Sequence, residues 1–290
     1  MIDTLVFSGG GPNGILQVAI LQTMVEKGHL NMSDIKHCYC TSAGSLLATL
    51  TMFAPLSEIS DYLITRPWSK WMTADVEMLA TGRGLCDAIK FKETLEPFFK
   101  AYDVPIDITF QQYYERFGVD MHVFTTDVRT FDSYVFQRST HPDTPVAFAA
   151  CVSSALYPIF TPLVFESSVY MDGGFSDNFP AEACFKDGRN PETTLAIVLT
   201  GYKNELDSEI PSGGTQFLAY LMVNVMVKLQ RHTVNVSAAR QARFCMEVPS
   251  RPTFSSELWG MFLDTDPEPK QRLFSEGKAY ALDFLEKMKK

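Results

Sequence analysis

Three short stretches of this 290-residue chain carry residue types that could do chemistry together. Ser42 lies in Cys-Thr-Ser-Ala-Gly, residues 40 to 44, between an apolar run that starts at Ile35 and a second that ends at Ala54. A serine on a strand-to-helix turn is pushed out of the fold with its hydroxyl at a helix N-terminus, as a nucleophile requires. The stretch is one letter short of Gly-x-Ser-x-Gly, with Cys40 at the first glycine position and Gly44 at the second. Small residues there let the helix fold back close to the strand. The same residues also occur at ordinary helix N-caps. The second stretch is Ser8-Gly9-Gly10-Gly11-Pro12-Asn13-Gly14, whose backbone N–H groups could converge on an anion, either a phosphate or the oxyanion of an acyl transfer. The third is Asp172-Gly173-Gly174, followed by Asn178 and Pro180. An acid at a strand end can take a proton from a neighbouring hydroxyl, although Asp-Gly-Gly is also a common turn.

The elements that must position these residues can be read from periodicity. Leu5-Val6-Phe7 is a strand, and Ile15, Leu16, Ala19, Ile20 and Met24 recur at helical spacing behind the glycines. Ile35 to Ala54 reads as a buried strand, a turn at Ser42 and an apolar helix. Residues 57 to 115 read as mostly helical, with Trp68, Trp71, Met72, Met78 and Leu79 available either as an apolar lid or acyl-chain wall or as plain core. Val119 to Asp127 is a strand with Tyr134-Val135-Phe136 as hairpin partner, and Pro145 starts a helix that stops before Pro158. Val169 to Asp172 is the strand that delivers the acid. Phe217 to Phe244 reads as one long helix, part of a helical C-terminal region over 205–290 that ends in a final helix closed by lysines.

Composition limits the partners. A net charge of -9 argues against nucleic acid, which is bound by clustered Lys and Arg. The six cysteines show no CxxC spacing and the histidines no HxxxH spacing, so no metal or cofactor is expected and the thiols are expected to be reduced. The uncharged stretches Cys38–Ser57 and Thr144–Phe165 are long enough to raise the question of a membrane span. The first contains the Ser42 turn and the second contains Pro145, Pro158 and Pro162, so both fit a buried α/β core better. A strand beginning at Thr4 leaves no secretion signal ahead of it, which predicts a cytoplasmic protein, peripheral to membranes at most.

Gly9, Gly11 and Gly14 also satisfy the GxGxxG dinucleotide fingerprint, which would call for an acid at the end of the next strand; that strand ends in Ser42. No Lys-Ser or Lys-Thr follows the glycines, which excludes a nucleotide-triphosphate loop. A Ser-acid-His triad of the α/β-hydrolase order would need a histidine after Asp172. His232 is the sole one, in a segment that reads as a surface helix.

The order of glycine loop, serine elbow, Ser153-Ser154-Ala155-Leu156-Tyr157-Pro158-Ile159-Phe160 and Asp-Gly-Gly resembles the patatin-like phospholipase family over roughly residues 4 to 185. The resemblance implies a single domain with a three-layer α/β/α sandwich around a mostly parallel sheet, and a Ser-Asp dyad that hydrolyses acyl esters of lipids without histidine, metal or cofactor. It implies Ser42 as nucleophile, Asp172 as general base, and Gly9, Gly10 and Gly11 as the oxyanion hole, with a phospholipid or other acyl lipid as substrate at a membrane surface. Two positions depart from the family pattern: Cys40 stands where the elbow usually has glycine, and Asn13 where the loop commonly has arginine. They leave open an impaired protein that binds lipid without cleaving it, with dinucleotide binding as the more distant alternative.

Overall fold

The computed structural model describes residues 1–72, 84–201, 232–253 and 255–289, together with Glu77, Leu221, Asn224, Val225, Lys228 and Leu229. Strand β1 (Thr4–Phe7) runs through the glycine loop into α1 (Gly14–Glu26), and β2 (His37–Thr41) turns at Ser42 into α2 (Ala43–Thr51). Helices α3 (Leu56–Thr65), α4 (Trp68–Trp71), α5 (Phe91–Ala101) and α6 (Phe110–Phe117) follow. The last of these has clear local causes. Thr109 and Gln112 cap each other's backbone N–H groups at its start, and Gly118 ends it at φ 71, in the left-handed region. Next come β3 (Asp120–Asp127), β4 (Ser133–Gln137), α7 (Val146–Ser153), β5 (Leu163–Phe165), β6 (Ser168–Asp172), α8 (Ala181–Lys186) and β7 (Thr194–Gly201). The described C-terminal elements are α9 (Val236–Ala239), β8 (Phe244–Ser250), α10 (Ser256–Leu263) and α11 (Glu268–Lys287).

The strands form one mixed, mostly parallel sheet in the order β5-β6-β3-β2-β1-β7-β8, with β4 paired to β3. The pairs β1–β2, β1–β7, β2–β3 and β7–β8 are parallel. Alternation along the strands feeds two apolar layers. Leu5 and Phe7 pack with α1, α2 and α11 on one face, whereas Val6 packs on the other with Phe179, Cys184 and Ala238 from around α8 and α9. The result is a three-layer α/β/α sandwich.

One register detail builds the site. Along one edge, β3 pairs with β4 through His122–Thr126. Along the other, β2 is paired from Asp120 to Phe124, where Thr41 lies opposite Phe124, and β6 takes over at Thr125, opposite Asp172. Strand β6 thus ends on this edge where β2 leaves it, and Ser42 and Asp172 meet at the handover.

The expected helix over 217–244 lies partly outside the described residues and is corrected where it is described. The chain turns at Thr233, Asn235 caps the short α9 through the Ala238 N–H, and Phe244 begins β8, parallel to β7. The C-terminal region therefore contributes a sheet strand as well as helices. Met78 and Leu79 also lie outside the described residues.

Candidate active site

Ser42 has φ 54, the strained left-handed value of a tight elbow, and precedes the first turn of α2 without capping it through its side chain. Its hydroxyl is therefore free to donate, and it does so to Asp172 Oδ2 at 2.6 Å. The elbow holds this shape because α2 comes close to β1. A Cβ on Gly44 would stand 2.7 Å from the Ser8 carbonyl oxygen and 2.8 Å from Phe7 Cβ. Cys40, fully buried on β2 with its Sγ 3.4 Å from the His122 carbonyl, fits where the family usually has glycine.

The segment after α7 clamps both residues. The Ser42 N–H donates to Ser153 Oγ at 2.7 Å, Ser153 Oγ donates to the Phe124 carbonyl at 2.6 Å, and the Asp172 N–H donates to the Ala155 carbonyl at 3.0 Å. Asp172 Oδ1 accepts from the Gly174 N–H at 2.7 Å, and Thr126 Oγ1 donates to the Asp172 carbonyl at 2.8 Å. Gly173 has no room for a side chain, because a Cβ there would collide with the Phe124 carbonyl and stand 2.9 Å from Thr41 Cγ2.

Burial drives the electrostatics. Asp172 is 1 % exposed, and desolvation pushes its carboxyl up to about 7 against the opposing pull of the Ser42 and Gly174 hydrogen bonds. Asp177, whose carbonyl accepts from Thr41 Oγ1 at 2.9 Å, is likewise raised by burial to about 7.

The glycine loop lies beside the dyad, and a Cβ on Gly9 would stand 3.0 Å from Ser42 Cβ. The Gly9 N–H is already donated to the Asn178 carbonyl at 3.0 Å, which leaves Gly10 and Gly11 as the loop donors not committed there. Gly11 and Gly14 line the same cavity as Ser42. Asn13 is fully buried and commits its side chain to the backbone. Its Nδ2 donates to the Gly10 carbonyl at 3.1 Å and to the Arg251 carbonyl at 2.8 Å, and its Oδ1 accepts from the Arg251 N–H at 3.3 Å. It ties the loop to the end of β8, and Arg251 is anchored in turn by paired contacts to Glu276 of α11 at 3.0 and 3.1 Å. Sequence reading missed this tie, because nothing local links residues 13 and 251.

An apolar cavity of about 100 Å³ extends from Ser42. Ala43, Leu46, Leu47 and Leu50 of α2 line it at i, i+3, i+4 and i+7, so it runs along that helix. Trp68, Trp71 and Trp259 form part of the wall. Their indole N–H groups donate to the carbonyls of Leu63, Lys90 and Thr253, which leaves ring surface facing the cavity. His232 is exposed and borders a different hollow with Ser176 and Asp177, while both Asp172 oxygens are engaged by Ser42 and Gly174.

At the opposite end of the strands, His37, Asp120 and His122 have possible ligand atoms within 4.8 Å of one another, a cluster made across β2 and β3 that local spacing cannot reveal. Two cationic side chains already sit on it. Arg138 grips both Asp120 oxygens at 3.2 Å, and Arg189 reaches His37 Nε2 at 2.8 Å. All six cysteines are free thiols. Among the described residues no helix is long and apolar enough to cross a membrane.

A family model for patatin-like phospholipase matches residues 5–185. The chain belongs to the patatin-like phospholipase family. Similar proteins include the probable lipid hydrolase 463L of Invertebrate iridescent virus 6, 22% identical over 188 residues, which are 63% of this chain and 63% of the viral protein. The uncharacterized protein R571 of Acanthamoeba polyphaga mimivirus is 24% identical over 218 residues, 72% of this chain and 69% of that protein. The match thus spans less than two thirds of the first viral relative. Among solved structures, VipD from Legionella pneumophila has the same fold, with a TM-score of 0.58 at 14% identity, over 99% of this chain and 67% of that one.

Proposed function

We propose that this patatin-like protein is a lipid acyl hydrolase of the phospholipase A or lysophospholipase type, acting in transient contact with a membrane surface. The observation that carries the reading is a buried Ser42–Asp172 pair with 2.6 Å between Oγ and Oδ2, at one end of an apolar cavity. In this reading Asp172 takes the Ser42 proton as Oγ attacks the acyl carbonyl, and returns it to the departing alcohol. Asp172 then takes a proton from water, which hydrolyses the acyl-enzyme by the same route. The developing oxyanion is met by the N–H groups of Gly10 and Gly11 and by the first turn of α2, where the Ala43 N–H has no intrahelical acceptor. Each such donor is worth roughly 3 kcal/mol in other acyl-transfer enzymes. The acyl chain lies along α2 in the cavity.

Two alternatives receive less support. Lipid binding without cleavage was suggested by Cys40 and Asn13, yet Cys40 is accommodated and Asn13 secures the loop. Dinucleotide binding needs a polar cleft beside the glycines, whereas Gly11 and Gly14 face leucine and aromatic side chains. The test is labelling of the protein with a fluorophosphonate probe. Labelling is expected in the unmodified protein and in His232→Gln, and is expected to be lost in Ser42→Ala and strongly reduced in Asp172→Asn. An unlabelled unmodified protein would overturn the reading.

A further inference from the structure

The wall of the cavity beside Ser42 includes Ser154, whose buried hydroxyl the dyad reading leaves without work. Ser154 lies between the two clamping contacts of its segment, with Ser153 on the Ser42 N–H and Ala155 on the Asp172 N–H. Its backbone is fixed as well, since the Ser154 N–H donates to the carbonyls of Ala150 and Cys151 at the end of α7. The residue is 4 % exposed and lines the same cavity as Ser42, yet its Oγ has no hydrogen-bond partner among the described residues. The neighbouring Ser153 makes the contrast plain, because its hydroxyl both accepts and donates within the fold.

A buried hydroxyl left unpaired costs its desolvation, so one held rigidly beside a reacting serine marks a place for a ligand atom. The other polar side chains on the cavity wall are mostly satisfied. Thr94 donates to the Phe91 carbonyl and the tryptophans donate to backbone; Tyr62, on α3, is the other unpaired hydroxyl. An acyl ester offers acceptor oxygens and no donors, so a hydroxyl that meets it must donate.

We propose that the Ser154 hydroxyl is a substrate-binding group that donates a hydrogen bond to the ester of the bound acyl lipid. This rests on the hydrolase reading above. Ser154 then gives the ester a contact on the α7 side, in addition to the loop amides, and orients it against Ser42.

The experiment uses the full chain with p-nitrophenyl butyrate, and compares kcat/KM and the melting temperature of Ser154→Ala, Ser154→Thr and Ser154→Val. Threonine and valine have nearly the same shape and differ in the hydroxyl. Alanine and valine are expected to lower kcat/KM roughly tenfold, the effect of one neutral hydrogen bond, while threonine exceeds valine by a similar factor. The melting temperature of Ser154→Ala should stay at or rise above the unmodified value, since no contact within the fold is lost and an unpaired buried hydroxyl is removed. An active enzyme whose Ser154→Ala variant is unimpaired, or whose threonine and valine variants are equal, overturns the proposal alone. A wild-type protein that neither turns over nor takes the fluorophosphonate overturns the hydrolase reading, and this proposal with it.

Discussion

Burying a carboxylate without a cationic partner is costly, and among the described residues Asp172 is held that way by its neighbours. Its two oxygens meet one hydroxyl and one backbone N–H, and burial raises the carboxyl to about 7. In the proposed reaction Asp172 must be ionised to accept the Ser42 proton, so kcat/KM should rise with pH through about 7 and level off above it. A pH–rate profile whose acid limb falls instead in the ordinary carboxylate range would contradict the role of burial. Stability follows with the opposite slope. The folded state holds the Asp172 proton to a higher pH than the unfolded chain does. The stability linked to that proton is therefore complete below the ordinary carboxylate range, and it is lost as pH rises through about 7. Asp172→Asn should abolish turnover and yet raise the melting temperature by several degrees at pH 8, with a smaller gain at pH 5. A melting temperature lowered at both pH values would show that the carboxylate stabilises the fold after all. Asp177 titrates in the same range, so its asparagine variant separates the two limbs.

At the scale of elements, the site depends on how closely α2 approaches β1 and on where β3 exchanges β2 for β6. Gly44→Ala tests the first. The added methyl would press on the Ser8 carbonyl and Phe7 Cβ, and overpacking of this kind typically costs about 1–3 kcal/mol. Denaturant unfolding should show that loss, with kcat falling as the elbow shifts. An unchanged midpoint and unchanged activity would mean that α2 tolerates displacement. Much of this was legible in the sequence. Small residues around Ser42, glycines after β1 and an acid closing a strand specify local geometry, and Ser42 and Asp172 prove to be in contact. The handover along β3 was not legible, because register between strands far apart in the chain leaves no local trace. Strand β8 was hidden for related reasons. Phe244–Ser250 follows the arginine-rich approach of Arg240 and Arg243, contains Pro249, which interior strands disfavour, and pairs in parallel with β7. Asn13, a departure from the family pattern, is explained once β8 is in place, because its partner Arg251 stands just beyond that strand.

Across the whole molecule, the layers divide the work. The face that carries α1, α2 and α11 holds the larger apolar cluster, and the cavity opens within it along α2. From Ser42 to Leu50 the helix rises about 12 Å, and in the proposed reaction the acyl chain lies along that length, opposite the side chains of α3 and α5 that also line the cavity. Length selectivity should therefore reside at the Leu50 end and reactivity at the Ser42 end. Leu50→Phe adds bulk at that end without touching the dyad. It should cut turnover of p-nitrophenyl palmitate at least tenfold while p-nitrophenyl butyrate is hydrolysed within about twofold of the unmodified rate, because shortening the cavity removes binding available to long chains alone. Parallel assays of the two esters, with fluorophosphonate labelling to confirm that Ser42 remains reactive, separate this from general damage. Equal losses on both esters would place the acyl chain elsewhere, and unchanged rates on both would mean that it leaves the cavity before reaching Leu50.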